Sequence, residues 1–453
     1  MSIIIKNAKI LPIPTKYNSQ NSQLIQKDIL INNGIIAKIE NNIQSQINCQ
    51  IIDAKKHFVS PGLFDLHSHF REIGFTNKET ILTGSQAAAH GGYTSVCTMA
   101  NLKPIPETVE LLQKQIQTNQ KTDGVKIHQI APITINLENN KLTPLKDLYQ
   151  AGAVGFSNDG KGLENNSLMA KAMKIAKEIN CPILAHTQDK TIMGNGVIYK
   201  GQIATKYQLP TISEMSETKQ LARDLQLAKD IGVHYHICHI STKKGLELVK
   251  QAKADNIKVT VEVTPHHLLL CEENIKQNNA LYKVNPPLAT YNDQQALLEG
   301  ITNGTIDAIA TDHAPHTSFE TQTDFIKGAF GFSGIELAFQ LLYTNLVKSG
   351  LINLVKLIKL MSTNPRKIIA KNNPKIAYEI CDYYIKPNSP ADICIFDLDT
   401  NNKIESNIFF SKGKNTPFLG QKVFGQTILT IVNGKIVYQK PDNDNINGKS
   451  YDL

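Results

Sequence analysis

The most informative segment of this chain is Asp65-Leu66-His67-Ser68-His69-Phe70-Arg71-Glu72. It follows an apolar run, residues 58–64, which predicts a β-strand. Side chains two positions apart on a strand point the same way, so His67 and His69 project together from its end. Two imidazoles directed at one point provide half of a metal site. Two histidines in an ordinary loop are the competing interpretation, and only the rest of the chain can separate the two.

Short apolar runs alternate with amphipathic segments between residues 58 and 370. This alternation predicts parallel strands joined by helices, in either an open sheet or a (β/α)8 barrel. Four polar side chains come directly after predicted strands, namely Asp159, His186, His239 and Asp312. Barrel enzymes carry their chemistry at this carboxyl-terminal rim, whereas an open sheet offers one crevice fed by fewer strands. The sequence therefore predicts an α/β fold with a (β/α)8 TIM-like barrel over residues 58–370.

The two ends of the chain differ from its middle, because both are rich in short β runs. Asn33-Gly34 and Asn433-Gly434 each separate two apolar runs. Asn-Gly is a strong hairpin signal because both residues tolerate the positive φ values that the turn requires. An isolated hairpin is marginal in water. We therefore expect residues 1–57 and 371–453 to combine into one small β-sandwich domain.

The composition excludes several classes of protein. The formal charge of +8 arises from 48 basic and 40 acidic residues that are spread along the chain without a Lys/Arg block, and Trp is absent. We therefore expect no nucleic-acid partner. The apolar stretches are too short for a membrane span or a signal peptide. The seven cysteines show no C-x-x-C spacing, which favours reduced thiols in a cytoplasmic protein.

Six motifs, taken in chain order, resemble the bacterial class I dihydroorotases of the amidohydrolase superfamily. They are residues 65–72, Asn158-Asp159-Gly160, the strand that ends at His186, residues 236–242, Asn285-Pro286-Pro287-Leu288 and residues 311–316. One such motif is weak, but six in order are specific, and the likeness extends over nearly the whole chain. The resemblance implies a zinc enzyme that interconverts N-carbamoyl-L-aspartate and L-dihydroorotate in de novo pyrimidine biosynthesis.

The resemblance also implies a ligand set for two zinc ions in each subunit. The ligands of the more buried ion would be His67, His69 and Asp312. The ligands of the second ion would be His186 and His239. Asp159 would bridge the two ions at a position where many relatives have a carboxylated lysine, and we expect the nearby Lys161 to be a surface side chain. Nitrogen and oxygen donors without a thiolate suit a catalytic zinc site independently of the resemblance.

Further roles follow from the resemblance and from the negative charge of dihydroorotate, the cyclic substrate that it implies. Asp312 would take a proton from the attacking water and pass it to the leaving ring nitrogen. Dihydroorotate carries a carboxylate, so a guanidinium beside the metals would have a purpose, and Arg71 fits that role. By resemblance, the other substrate-binding residues would be Asn101 and His316 at the carboxylate and Asn285 at the ring. Arg71 could instead be a structural partner of Glu72 or Asp65.

The remaining histidines receive a structural interpretation. Those without a partner motif are His57, His90, His128 and His234, which we expect to be packed or at the surface. His236 lies three residues before His239 and is an alternative ligand. We expect His266 and His267 to contact ligand residues at most. The glycine-rich residues 328–334 match no phosphate-loop spacing and predict a loop that closes over the ring.

The chain departs from the family pattern at four positions. Ile73, Ala100 and Leu102 replace residues that relatives usually have in the loops after the first two barrel strands, and Gln188 replaces an acidic residue. None of these changes removes a ligand. We expect them to affect substrate affinity more than the type of reaction.

Three alternatives stay open at the level of sequence. A dihydropyrimidinase, hydantoinase or allantoinase would share the metals, and Arg71 with Asn101 argues against the first two. A non-catalytic scaffold of aspartate carbamoyltransferase would have lost ligands, whereas this chain has all six. A sugar- or peptide-binding scaffold has no supporting feature. We expect a small-molecule substrate and a homodimer, with aspartate carbamoyltransferase as a further candidate partner.

Overall fold

The structure is a computed structural model that describes residues 2–14, 23–44, 49–370 and 373–441. Its strands are β1 (Ser2–Ile10), β2 (Ile25–Asn32), β3 (Ile35–Glu40), β4 (Cys49–Asp53), β5 (Phe58–Pro61), β6 (Leu63–Ser68), β7 (Tyr93–Thr98), β8 (Lys126–Gln129), β9 (Ala131–Pro132), β10 (Phe156–Ser157), β11 (Ile183–Ala185), β12 (Ile198–Tyr199), β13 (Thr211–Ile212), β14 (Tyr235–Ile237), β15 (Val259–Val263), β16 (Ala308–Ile309), β17 (Ile393–Asp397), β18 (Asn402–Lys403), β19 (Lys422–Val423), β20 (Gln426–Val432) and β21 (Lys435–Gln439).

The helices lie almost entirely between β6 and β17. They are α1 (Ile81–His90), α2 (Val109–Asn119), α3 (Leu145–Ala151), α4 (Asn166–Glu178), α5 (Lys190–Met193), α6 (Gln202–Tyr207), α7 (Met215–Ile231), α8 (Lys243–Ala254), α9 (Pro265–Leu269), α10 (Tyr291–Asn303), α11 (Ser318–Thr321), α12 (Ala338–Leu342), α13 (Leu354–Ile358) and α14 (Asn364–Ala370). No helix in the described ranges has both the length and the apolar character that a membrane crossing requires.

The middle of the chain forms the predicted (β/α)8 barrel. Two parallel sheets contribute, one of three strands in the order β6-β7-β8 and one of six in the order β16-β15-β14-β11-β10-β9. Strands β8 and β9 occupy one position, because Ile130 between them continues the pairing with β7 through its N–H to Thr98 O at 3.0 Å. Ser68 pairs in parallel with His313, and His69 N–H donates to His313 O at 2.9 Å, which closes the ring.

Helix α4 illustrates how the sequence forms the outer layer. The side chain of Asn165 accepts a hydrogen bond from the N–H of Leu168 and caps the helix at its start. Its buried residues are Met169, Ala172, Met173 and Ala176. This spacing of three and four residues places all of them on one face, which packs against the strands.

The two ends of the chain combine in one mixed sheet of eight strands. Its order is β21-β20-β17-β5-β1-β2-β3, and β4 also pairs with β1. Both predicted Asn-Gly hairpins are confirmed, the first between β2 and β3 and the second between β20 and β21. Their tips pack together so closely that a Cβ atom on Gly434 would lie 2.7 Å from the Cα of Gly34, which explains why glycine occupies both turns.

The apolar run at residues 58–64 divides into two strands at Gly62. Strand β5 joins the terminal sheet, where it pairs with β17 and β1, whereas β6 begins the barrel. A Cβ atom on Gly62 would lie 2.1 Å from the Cγ2 atom of Thr94, so this joint requires glycine. The predicted domain limits at residues 57/58 and 370/371 stay predictions; residues 371–372 lie outside the described ranges.

Asp65 joins the two edges of the barrel at its closing seam. Its buried carboxylate, on β6, accepts hydrogen bonds from Thr311 N–H at 2.8 Å and from Thr311 Oγ1 at 2.5 Å. Asp65→Ala leaves these buried donors without an acceptor, at a cost of roughly 1–3 kcal/mol for each. We expect the thermal unfolding midpoint to fall by several degrees, as measured by calorimetry. The exposed Asp123→Ala is the control, and equal midpoints for the two variants would contradict this role.

Candidate active site

The predicted ligand residues converge at the carboxyl-terminal ends of the barrel strands. β6 supplies His67 and leads directly into His69. The residues that follow β10, β11, β14 and β16 are Asp159, His186, His239 and Asp312. All six side chains are buried. The strand ends of a parallel barrel meet at one rim, which is why residues far apart in sequence share this place.

His67 and His69 both face the carboxylate of Asp312. The Nε2 atom of His69 lies 3.0 Å from Asp312 Oδ1, and the Nε2 atom of His67 lies 3.5 Å from the same oxygen. Asp159 approaches both rings from the other side, with Oδ1 3.2 Å from His67 Nε2 and Oδ2 3.5 Å from His69 Nε2. Each of the two carboxylates therefore contacts both imidazoles.

His186 and His239 form a second group on the other side of Asp159. The Nδ1 atom of His186 lies 2.9 Å from the Nε2 atom of His239, and each of these nitrogens lies 3.6 Å from Asp159 Oδ1. Asp159 thus contacts both pairs of histidines. This is the position that a bridging ligand would occupy.

The donor set fits a divalent cation. The buried atoms His67 Nε2 and Asp159 Oδ1 have no hydrogen-bond partner within the described ranges, although each faces groups that could share a metal. Among the described residues, three groups have donor atoms within 4.8 Å of one another: His67 with Asp159 and His239, His67 with His69 and Asp312, and His67 with Cys238 and Glu262. His67 belongs to all three groups.

The charges of the cluster also favour a cation. Burial alone would raise the pKa of Asp312, but His67 and His69 outweigh it and hold that pKa well below its ordinary value. The pKa of Asp159 is likewise lowered, because the neighbouring His67, His186 and His239 outweigh burial. Both shifts favour the ionised carboxylates, and a positive charge near two buried carboxylates lowers the free energy of the site.

Neighbouring polar groups orient the rings. Asn101 Oδ1 accepts a hydrogen bond from His69 Nδ1 at 2.9 Å, and Asn101 Nδ2 donates to Asp159 Oδ2 at 3.4 Å. Gln188 Oε1 lies 3.2 Å from His186 Nε2 and also accepts from Asn285 Nδ2 at 3.1 Å. Gln188 Nε2 returns a hydrogen bond to Asn285 Oδ1 at 2.8 Å. Gln188, which replaces an acidic residue of the family pattern, therefore contacts the predicted ligand His186.

Sequence reasoning missed Glu262. This fully buried side chain on β15 accepts a hydrogen bond from His67 Nδ1 at 3.0 Å and another from His236 Nε2 at 3.1 Å. Burial alone would raise the pKa of Glu262, but the hydrogen bonds from His236 and His67 lower it to about 2. The available signal was an acidic residue within the apolar strand Val259-Thr260-Val261-Glu262-Val263.

The other histidines lie outside the cluster. His236 faces Glu262 and Thr260, so His239 and not His236 points toward Asp159. His267 contacts Thr264 Oγ1 and Pro286 O, and His266 packs on the ring of Phe332. The four histidines without a partner motif contact Asp397, Glu336, Glu379 and Thr260, in the order His57, His90, His128 and His234. Lys161 Nζ donates to Asn136 O at 3.3 Å, away from the cluster.

A cavity of about 200 Å³ opens beside the cluster. It is lined by His69, Arg71, Asn101, Asp159, Gly160, His186, His239, Asn285, Asp312, Ala314, His316, Phe330 and Gly331. The last two residues belong to the glycine-rich loop. All four residues predicted to bind substrate therefore line the same cavity as five of the six predicted ligands; His67 does not line it.

Arg71 reaches this cavity without an acidic partner. Its Nε atom lies 3.4 Å from Pro315 O and its Nη2 atom 3.4 Å from His316 Nε2, and within the described part of the chain it forms no ion pair. Glu72 instead accepts from Ile81 N–H, and Asp65 from Thr311. The alternative in which Arg71 pairs with Glu72 or Asp65 is wrong, and the guanidinium is available to an anion.

His316 is neutral beside Arg71. Burial, followed by the neighbouring Arg71 and Lys78 cations, lowers the pKa of His316 to about 3. Its Nε2–H donates to Phe330 O at 2.8 Å, and its Nδ1 faces Lys78 Nζ at 3.3 Å. His316 thereby links the first barrel loop to the glycine-rich loop.

A closed parallel barrel with buried histidines and aspartates at its carboxyl-terminal rim is the architecture of the amidohydrolase fold. Among solved structures, the fold matches an L-hydantoinase (dihydropyrimidinase) from Arthrobacter aurescens with a TM-score of 0.83 and 24% identity, over 97% of this chain and 96% of that one. A D-hydantoinase from a Thermus species matches with a TM-score of 0.81 and 22% identity, over 96% and 95% of the two chains. At these identities the likeness concerns the fold.

Sequence comparison identifies the family within this class. Residues 56–245 match the family model described as dihydro-orotase-like. A dihydroorotase from Ligilactobacillus salivarius is 45% identical over 98% of this chain and 100% of the relative, and one from Enterococcus faecalis is 42% identical over 97% and 99%. The chain belongs to the dihydroorotase family.

Because His67 takes part in all three groups of potential ligands found in the described ranges, its loss should remove bound metal. We expect His67→Ala to lower the metal content of dialysed protein to about half of the wild-type value or less, measured by mass spectrometry of the elements. His128→Ala provides the control, since His128 is also a histidine paired with a glutamate but lies outside the cavity. A His67→Ala protein that retains the full metal content would contradict the assignment.

Proposed function

We propose that the protein is a dihydroorotase, which reversibly interconverts N-carbamoyl-L-aspartate and L-dihydroorotate in pyrimidine biosynthesis. One observation carries the proposal: an arginine without an acidic partner in the described ranges lines the same cavity as five of the six buried histidine and aspartate side chains. The cluster suits hydrolysis of an amide, and the guanidinium suits a carboxylate on the ring. The near full-length identity to dihydroorotases supports the same conclusion.

We further propose zinc as the metal, with two ions in each subunit. The first would be held by His67, His69 and Asp312, the second by His186 and His239, with Asp159 shared between them. Nitrogen and oxygen donors of this kind suit zinc. Divalent zinc supplies Lewis acidity, which polarises a carbonyl and lowers the pKa of a water molecule.

The residues of the chain would then guide the proton and the ring. Asp312, whose pKa is lowered and which lies 3.0 Å from His69 Nε2, takes one proton from the attacking water. The oxygen of that water bonds to the ring carbonyl carbon at the same time. The carbon–nitrogen bond breaks, and Asp312 passes the proton to the leaving nitrogen. Arg71, Asn101 and His316 hold the ring carboxylate. Asn285, fixed by its reciprocal amide contacts with Gln188, orients the ring.

Replacing Asp312 with Asn should preserve the fold but remove the proton acceptor. We expect kcat for dihydroorotate hydrolysis to fall about 10²-fold or more, as for the loss of a general base. The rate should be measured at matched metal content, because Asp312 is also a proposed ligand. A near-normal kcat in metal-loaded Asp312→Asn would remove this residue from the mechanism.

Arg71 distinguishes a dihydroorotase from enzymes that act on neutral rings. Arg71→Met removes a charge-assisted contact worth roughly 1.5–3 kcal/mol, so we expect kcat/KM for dihydroorotate to fall about ten- to a hundredfold. Lys at this position should restore only part of the loss, since a point charge cannot reproduce the planar fork of guanidinium.

Dihydrouracil, which lacks the carboxylate, serves as the matched substrate. Dihydrouracil should be a poor substrate for both forms of the enzyme. Its kcat/KM should be the same for the wild-type protein and for Arg71→Met. Equal losses on the two rings would mean that Arg71 only supports the loop after His69, and a hydantoinase-like specificity would then replace the proposed one.

The proposals on location and assembly are separate. All seven cysteines lie within the described ranges and are free thiols, which supports a reducing compartment such as the cytoplasm. The homodimer and the complex with aspartate carbamoyltransferase stay predictions. Sedimentation of the purified protein, alone and with the transferase, tests both.

A further inference from the structure

Glu262 occupies an unusual place behind the ligand cluster. Its carboxylate lies inside the barrel with no exposure to solvent, and it receives three N–H groups. His67 Nδ1 lies 3.0 Å from Oε1, the backbone N–H of His239 lies 3.3 Å from the same oxygen, and His236 Nε2 lies 3.1 Å from Oε2. Two of these three donors belong to proposed metal ligands, one from each group.

The contact with His67 decides which ring nitrogen is free to bind a metal. A neutral imidazole carries one proton, and the ionised carboxylate accepts a hydrogen bond but cannot donate one. In a neutral, metal-ligating His67 the single proton would reside on Nδ1, 3.0 Å from Glu262 Oε1, and the lone pair of Nε2 would point toward Asp159 and Asp312. A carboxylate behind a histidine fixes its tautomer and its orientation in this way at many metal sites.

The contact with His239 acts on the backbone. His239 has a φ of 33°, in the left-handed region that few residues other than glycine adopt. Its N–H donates to Glu262 Oε1, so the carboxylate stabilises the turn that directs the His239 ring toward Asp159. A single side chain thereby supports a ligand in each of the two groups.

His236 completes the arrangement from the opposite side. With its Nε2–H directed to Glu262, its Nδ1 can accept a hydrogen bond from Thr260 Oγ1 at 2.9 Å. This chain of contacts keeps the carboxylate from rotating. It also gives His236 a role other than that of a ligand.

We propose that Glu262 is a positioning residue that orients His67 and His239 for metal binding and so couples the two halves of the metal centre. This inference rests on the proposed function only in that the cluster binds a divalent metal. A rival interpretation makes Glu262 itself a ligand together with His67 and Cys238. Both carboxylate oxygens already accept hydrogen bonds from histidines, and Cys238 belongs to the apolar core of the barrel, which favours the positioning role.

Glu262→Gln tests the proposal, because the amide has the same size but loses the charge and one of the two acceptor atoms. We expect the dissociation constant for zinc, measured on metal-free protein by competition with a chromophoric chelator, to rise about 10- to 100-fold. With cobalt in place of zinc, the visible absorption spectrum should change, since a reoriented imidazole alters the ligand field. Excess zinc should restore part of the lost kcat.

Glu379→Gln is the matched control. Glu379 is also buried and paired with a histidine, His128, but it contacts no proposed ligand. It should keep the zinc affinity and the cobalt spectrum of the wild-type protein. Circular dichroism of the metal-free forms checks that both variants fold.

The proposal is overturned if folded Glu262→Gln binds zinc with the wild-type dissociation constant and shows the wild-type cobalt spectrum. Should Glu262→Gln fail to fold, Glu262→Asp takes its place, since it keeps the charge but withdraws the carboxylate from His67. An unchanged zinc affinity in that variant is equally decisive against the proposal. Wild-type protein that binds zinc but does not hydrolyse dihydroorotate would refute the proposed function and leave the comparison of zinc affinities valid.

Discussion

The closure of the barrel is the interaction on which the site depends. Where the first barrel strand meets the last, His69 N–H donates to His313 O and Asp65 accepts from Thr311. These contacts bring Asp312 against His69, although the two residues are 243 positions apart in the chain. Without this seam, the ligands contributed by the two ends of the barrel would not share a cation. The geometry of the site is therefore a consequence of backbone pairing, and side-chain contacts then fix the orientation of each ligand.

The cavity has groups of both charges in and around its lining. The carboxylates of Asp159 and Asp312 and the guanidinium of Arg71 line the cavity. Lys78 does not line it but lies 3.3 Å from His316 Nδ1, so that His316 contacts both cations. Lys78 is held by Glu320 at 2.5 Å. Burying charges of one sign is costly unless opposite charges are near. A cation at one end and an anionic ring substituent at the other satisfy both sets of charges, which is why a neutral ring is the weaker candidate for this cavity.

Much of the fold was predictable from the sequence. The alternation of strands and helices, the two Asn-Gly hairpins and the position of polar residues after strands depend on local patterns, and the structure agrees with them. The break at Gly62 was not predictable, because its cause is the close approach of Thr94 from a neighbouring strand. A run of apolar residues contains no sign of such a contact.

Less of the site than of the fold was predictable from the sequence. His67 and His69 follow from their spacing, but the contact of Asn101 with His69 depends on a loop whose path no local rule specifies. In β15, polar and apolar residues alternate around Glu262, and this pattern is equally typical of a strand with one face exposed to solvent. Only the curvature of the closed barrel turns that face inward, where the carboxylate finds three N–H donors.

The pairing of β5 with β17 has a consequence for synthesis of the protein. Strand β5 leads into the ligand strand through the single residue Gly62, and its partner Phe396 of β17 comes from near the other end of the chain. On the ribosome, the edge of β5 that will receive β17 therefore stays open until almost all of the polypeptide has emerged. Open strand edges recruit other strands. The nascent chain therefore has a long interval in which this edge is available to strands of other molecules, and the pairing that joins the terminal sheet to the first barrel strand forms only at the end of synthesis.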